Sequence, residues 1–223
     1  MIINSPNNPT GAIIPRKTLE GLARLLERKS AEYGHAIYIV SDEPYRELVY
    51  DGVEVPFMTK HIRNSIICYS FSKSLSLPGE RIGYLAVPKE VDDYERLVEG
   101  LAIANRVLGF VNAPSLQQLM IKECLNEQTD VAAYDKNRRF LYKSLIDMGF
   151  ECVKPEGAFY LFVKSPVADE KVFVAEAKKH HLLLVPASSF GCPGYVRIAY
   201  CVSYEMIERA MPAFKALAET YFS

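Results

Sequence analysis

The stretch AIYIVSDEPYRELVYDG, residues 36–52, decides the fold. Its first five residues are continuously apolar, as in a strand buried on both faces, and a cluster of turn-forming and charged residues stops them. Upstream, MIIN (residues 1–4) is a second short apolar run. Between the two lies PRKTLEGLARLLERKSAEYG (15–34), which reads as a helix. Pro15 suits a first helical position, Leu19, Leu22, Leu25 and Leu26 share a face, and Gly34 suits the exit. Downstream, SIICY (65–69) and RIGYLAV (81–87) read as further strands. Strand, helix, strand in this order predicts a right-handed βαβ unit in a mostly parallel sheet.

Residues 92–149 are mostly helical in pattern, with a break near GFVNAPS (109–115) and an amphipathic run, DKNRRFLYKSLIDMG, that closes at Gly149. The remainder alternates FECV, AFYLFV, a helix through DEKVFVAEAKKH, LLLVP, YVRIAYC and a last helix SYEMIERAMPAFKALAETYF. That tail is α+β in character. The expectation is two layered units, residues 1–130 and 131–223.

Composition narrows the function. The chain has 223 residues with 26 basic and 27 acidic side chains, a formal charge of −1, so nothing favours nucleic acid or an anionic membrane as partner. No apolar run reaches the ~18 residues of a membrane span, and MIINSPNNPTG lacks the pattern of a signal peptide. Five scattered cysteines without a CxxC pair predict reduced thiols and a cytoplasmic protein. The four histidines lack metal-ligand spacing, and adjacent His180 and His181 fit a surface helix end, so no metal is expected.

Four clusters carry chemistry. In SFSKSLSLPGERIGYLAVP (70–88), Lys73 follows a strand at its carboxyl end, where open α/β sheets gather ligands, with Ser70 and Ser72 beside it and Arg81 eight positions on. Taken alone, Lys73 is as readily a solvated surface group, and the Ser70–Lys73 spacing only loosely meets the order of acyl-transfer sites. Asp42 ends the apolar strand and Tyr45 lies three residues later; a turn cap and a half-buried ring are the plain alternative. Asn8-Pro9-Thr10-Gly11 is turn chemistry first. Arg197, between Val196 and Ile198, either alternates outward or holds an anion.

Together these clusters resemble the class I aminotransferases of the aspartate aminotransferase family, fold type I pyridoxal 5′-phosphate (PLP) enzymes. The matching residues are N-x-P-x-N-P-T-G at 4–11, D-E-x-Y at 42–45, S-x-S-K with the trailing arginine and glycine at 70–83, and Arg197, with GAFYLF at 157–162 in support. The resemblance implies a partial large-domain α/β sheet over residues 1–130 and the small domain over 131–223. It implies that Lys73 forms a Schiff base with the cofactor, since only a primary amine can. Asp42 is implied to face the pyridine nitrogen and keep it protonated. Tyr45 and Asn8 are implied to bond the phenolic oxygen, and Ser70, Ser72 and Arg81 to hold the phosphate. Arg197, with Asn8, is implied to hold the substrate carboxylate. Tyr160 reads as core before it reads as site, and Asn112 as a loop cap.

The resemblance also implies amino-group transfer from an L-amino acid to a 2-oxo acid in a homodimer. The same residues serve a PLP-dependent C–S or β-lyase, and an aminotransferase-like domain of a transcription regulator is a third reading. In the family the first matched motif lies near mid-chain, whereas here it starts at Asn4. The expectation is therefore a C-terminal fragment with open sheet edges and apolar faces, weakly active or inactive alone. The substrate amino acid is not legible; Arg106 lies one position away from where a second carboxylate-binding arginine is expected.

Overall fold

The computed structural model describes residues 1–222, and the chain divides into two compact units. The first comprises Met1–Pro6, Ile13–Glu47 and Glu54–Thr129. It contains β1 (Ile2–Asn4), α1 (Arg16–Tyr33), β2 (Ile39–Asp42), β3 (Ser65–Ser70), the one-turn α2 (Phe71–Ser74), β4 (Gly83–Ala86), α3 (Tyr94–Val107) and α4 (Ser115–Cys124). The strands lie in the order β1-β2-β3-β4; the first three are parallel and β4 is antiparallel to β3. This is the mixed, mostly parallel α/β sheet expected.

Two details differ from the sequence reading. The second strand is Ile39–Asp42, not residues 36–40. Its ladder pairs Asn4 with Asp42 on one side and Asp42 with Cys68 on the other, so Ser41 and Asp42 occupy interior positions. Ser41 is tolerated there because its Oγ donates to Glu43 Oε1 at 2.7 Å. In α1 the core-facing stripe is Leu19, Leu22, Ala23 and Leu26, which pack with Ile3, Ile39, Met58 and Ile62. Those positions follow the i, i+3, i+4, i+7 rule, and Leu25 falls off the stripe and is exposed. Gly34 closes α1 in the left-handed conformation, as its position predicts. Gly83 has a packing reason: a Cβ there would sit 2.2 Å from the Tyr69 carbonyl oxygen.

The sheet edges and several apolar side chains of this unit are open to solvent. All four residues of β4 are exposed, Ile2 of β1 is 76% exposed, and Val107, Phe110 and Leu116 all exceed 70%. No helix among the described residues is long and apolar enough to cross a membrane.

The second unit comprises Asn7–Ala12, Leu48–Val53 and the chain from Asp130 onward. Two loops of the N-terminal region thus belong to it, which a single division near residue 130 does not anticipate. It contains α5 (Val131–Asp147), β5 (Cys152–Val153), β6 (Tyr160–Lys164), α6 (Glu170–Lys179), β7 (Val185–Pro186), β8 (Tyr195–Ala199) and α7 (Tyr204–Phe222). Its sheet is antiparallel throughout, in the order β5-β6-β8-β7. The LLLVP run yields only two ladder residues. Leu182 N donates to Ala177 O and His181 takes a positive φ, so the preceding residues close α6 before pairing with β8 begins at Val185.

A buried ion cluster ties the Leu48–Val53 loop to α5. Arg138 is 1% exposed, yet it donates to both oxygens of Asp51 (3.1 and 2.9 Å), to Asp135 and to the Pro155 carbonyl. Its guanidinium lies 4.6 Å from the centre of the Tyr50 ring. The Arg138 and Lys154 partners hold the Asp51 carboxyl well below the usual carboxylate range. Tyr50 and Tyr200 both donate to the Ala158 carbonyl, and burial pushes the Tyr50 hydroxyl up to about 12.

Arg138→Ala is expected to destabilise the chain by about 3 kcal/mol in urea denaturation. That is the low end for breaking a buried pair, because Asp51 and Asp135 keep some access to water. Arg139→Ala, removing a largely exposed partner of the same carboxylates, is expected to change stability by less than about 1 kcal/mol.

Candidate active site

In the first unit the chemistry-bearing residues collect at the carboxyl ends of the parallel strands. Asp42 is the last residue of β2, and Ser70 is the last residue of the adjacent β3. Asn4 ends β1 directly opposite Asp42. Residues in register on neighbouring strands point to the same face, and Asn4 Nδ2 donates to both Asp42 Oδ2 and the Asp42 backbone carbonyl, each at 3.0 Å. Burial raises the pKa of Asp42, and the hydrogen bond from Asn4 opposes that rise.

Tyr45 follows in the turn after β2 and is buried. The Lys73 Nζ lies 6.0 Å from the centre of its ring. Lys73 occupies α2, the single turn entered directly from β3. Ser70 caps that turn: its Oγ accepts from Ser72 N at 3.1 Å and donates to Ser72 Oγ at 2.7 Å. The two hydroxyls are therefore coupled, as Ser-x-Ser spacing at a helix start allows.

Arg81 sits in the loop leading into β4 with a φ of 53°, and its Nη1 donates to the Pro78 carbonyl at 2.7 Å. The pairing of Ser70 with Gly83, and the bond from Phe71 N to Ile82 O, bring this loop back to the end of β3. Arg81 also borders an open cleft of about 440 Å³, together with Cys68, Tyr84, Asn105, Phe110 and Asn112.

The second unit presents one further site. Arg197 lies on β8, between Phe162 of β6 and Val185 of β7 in register. Of the two orientations open to it in the sequence, a plainly outward one is not what the structure shows. Instead its guanidinium lies 4.4 Å from the centre of the Tyr160 ring and 4.9 Å from that of Phe190, and Nη1 donates to Asn8 Oδ1 at 2.8 Å. Its Nε is buried and has no hydrogen-bond partner. Tyr160 is itself buried, so it serves both as core and as a face for the guanidinium.

The loop that carries Asn8 is built by its own sequence. Asn7 Oδ1 accepts from Thr10 N and Thr10 Oγ1, and Gly11 N donates to Asn7 O. Gly11 has a φ of 70°, and a Cβ there would meet Pro155 Cβ at 2.4 Å. The turn reading of this motif and its presentation of a polar side chain are thus both present.

Three participants escaped the sequence reading. Asn4 was quoted within the N-x-P-x-N-P-T-G motif, yet only the strand register shows what it touches. Phe190 carried no signal at all. Glu43 is 2% exposed and is held by Ser41 and by Arg46 Nε at 3.0 Å, beside Asp42; burial pushes its pKa up.

The fold and these residues define an aminotransferase-like chain, and the comparisons agree. The profile of the family "Aminotransferase class I and II" matches residues 1–214, and the chain belongs to that family. Among curated relatives, it is 34% identical to aromatic-amino-acid aminotransferase 2 of Thermococcus litoralis, over 95% of this chain and 55% of the relative. It is 32% identical to aspartate/prephenate aminotransferase of Thermus thermophilus, over 96% and 55%. A crystal structure of an aminotransferase from Eubacterium rectale superposes with a TM-score of 0.96 at 52% identity, over 100% of this chain and 56% of that one. An engineered aspartate aminotransferase of Thermus thermophilus superposes with a TM-score of 0.83 at 30% identity, over 97% of this chain and 59% of that one. The chain spans about half the length of the relatives it matches.

The raised pKa of Asp42 has a definite sign. Above its folded-state pKa the buried carboxylate is ionised at a cost the unfolded chain does not bear; below the ordinary aspartate value of about 3.9 both states are protonated and the cost vanishes. Asp42→Asn is therefore expected to raise the thermal midpoint of the cofactor-free chain at about pH 7. That advantage is expected to shrink as pH falls toward about 4, read by thermal melts across the range.

Proposed function

We propose that this chain acts in pyridoxal 5′-phosphate-dependent amino-group transfer between an L-amino acid and a 2-oxo acid. One observation carries the reading: a primary amine, Lys73 Nζ, stands 6.0 Å from the ring of Tyr45, three residues past a partly buried carboxylate that ends the adjacent parallel strand. The donor set fits the cofactor. Asp42 offers an acceptor whose Oδ2 is already fixed, Ser70 and Ser72 offer hydroxyls, and Arg81 offers a guanidinium suited to a phosphate.

When bound, the cofactor supplies an aldehyde and an electron-withdrawing pyridinium ring. The residues of this chain would supply the following parts. Lys73 would hold the aldehyde end of the cofactor, and its free amine would move a proton to or from the substrate Cα. Asp42 holds the proton on the ring nitrogen. Tyr45 would bond the phenolic oxygen. Ser70, Ser72 and Arg81 hold the phosphate.

Arg197 binds the substrate α-carboxylate. Its Nη1 is oriented by Asn8, two aromatic rings flank its plane, and its Nε lacks an acceptor. A carboxylate taking two parallel bonds from this edge satisfies that donor and fixes the Cα–H bond for cleavage. We read the first unit as part of the family's large, cofactor-binding domain and the second as its small domain.

The test is reduction with borohydride after incubation with pyridoxal 5′-phosphate, followed by peptide mapping. The cofactor is expected on Lys73 in preference to the other lysines, and Asp42→Ala is expected to cut that occupancy more than tenfold while surface lysines keep theirs. Equal labelling across the lysines sinks the reading. Release of pyruvate and ammonia without formation of a new amino acid selects the lyase instead.

A further inference from the structure

We propose that Asn4 is the positioning residue for Asp42: its side-chain amide fixes which carboxylate oxygen faces the cofactor ring and keeps that carboxylate ionised. The inference rests on the cofactor reading above, but its physical core does not require bound cofactor.

Asn4 and Asp42 are direct partners in the parallel ladder between β1 and β2. Side chains of facing residues project to one side of the sheet, which sets the Asn4 amide beside Asp42. A single amide nitrogen has two hydrogens, and Asn4 Nδ2 places both on Asp42: one on the backbone oxygen, one on Oδ2, each at 3.0 Å. The two acceptors belong to the same residue. The amide therefore bridges the main chain and side chain of Asp42, which locks its χ1. A contact to Oδ2 alone would leave the carboxylate free to swing with its donor. This contact leaves Oδ1 as the oxygen available to a donor arriving at the strand end.

Asp42 is partly buried, and the influences on its acidity are burial, which raises its pKa, and the Asn4 hydrogen bond, which lowers it. Cys68, in register on β3, is a neutral thiol whose own ionisation is opposed by burial and by the Asp42 charge. Glu43, the next residue, is a buried carboxyl that also feels the Asp42 charge. Among these neighbours Asn4 is the group that donates a hydrogen bond to the carboxylate, and donation to the charged form favours it. An aspartate that must keep a ring nitrogen protonated has to be ionised itself. Asn4 thus offsets the desolvation that the position imposes.

Asn4 acts through Asp42 and is not assigned any contact with cofactor or substrate. A merely structural role, such as anchoring β1, predicts a change in stability but none in the acidity of Asp42. The test uses carboxyl-carbon NMR titration of Asp42 in the cofactor-free chain and in Asn4→Leu, which keeps shape and removes the donor. Asp42 is expected to titrate at higher pH in the variant; an unchanged midpoint overturns the proposal. Should Asn4→Leu fail to fold, the wild-type chain gives its own answer. The Asn4 side-chain amide protons are expected to shift with the Asp42 midpoint, and protons that do not follow it overturn the proposal equally. Neither readout involves pyridoxal 5′-phosphate, so a missing label on Lys73 refutes the cofactor reading without deciding this one.

Discussion

Three parallel strands that end together are the constraint on which the first unit depends. In a parallel ladder, hydrogen bonds fix the stagger between strands, and the strands β1, β2 and β3 bring Asn4, Asp42 and the Ser70 turn to one end. Those ends carry side chains from segments separated by dozens of residues, without a loop having to fold back to deliver them. Carboxyl ends also leave the last backbone groups and the first helical turn without ladder partners, which is why open α/β sheets gather ligands there. The antiparallel β4 adds the other requirement. Its Gly83 approaches the Tyr69 carbonyl too closely for any side chain, and so returns the Arg81 loop to the end of β3.

The second unit contrasts two arginines. Arg138 is fully buried and Arg197 half-buried, and both lie against aromatic rings, Arg138 on Tyr50 and Arg197 on Tyr160 and Phe190. Arg138 is saturated: two aspartates and a carbonyl accept from its nitrogens. Such an arrangement holds a loop on a helix and leaves nothing for a ligand. Arg197 has one neutral acceptor, Asn8, and an orphaned Nε. Burying a guanidinium donor without an acceptor costs free energy that the fold does not recover. The same residue type is in one case a staple and in the other, on the proposed reading, a receptor for an anion.

Much of this was legible. The strand–helix–strand pattern gave the sheet, because apolar runs flanking an amphipathic helix have few other solutions. The candidate site residues stood out as an ordered set that resembles a family's motifs, whereas Lys73, Asp42 and Arg197 taken singly read equally well as surface or turn groups. What stayed hidden was set by register and by tertiary contact. The shift of β2 to Ile39–Asp42 could not be read, since Ser41 becomes acceptable in a buried strand only once Glu43 accepts its hydroxyl. Leu25 shared the leucine spacing but not the stripe. The assignment of Asn7–Ala12 and Leu48–Val53 to the second unit depends on contacts with residues over a hundred positions away, such as Gly11 with Gly157 and Tyr50 with Ala158. Phe190 is an ordinary apolar residue until Arg197 lies beside it.

Asp42 and Arg197 share a thermodynamic character that the core residues lack. Each is held in a position that the folded chain alone makes unfavourable, the carboxylate by desolvation and the guanidinium by a missing acceptor. Each is also oriented by an asparagine, Asn4 and Asn8, whose neutral amide aligns a charge without cancelling it. A charged partner in either place would form a closed ion pair like that of Arg138 and Asp51, more stable and chemically idle. An amide keeps direction while leaving the charge unspent, and the same device recurs in each unit, on Asp42 in the first and on Arg197 in the second.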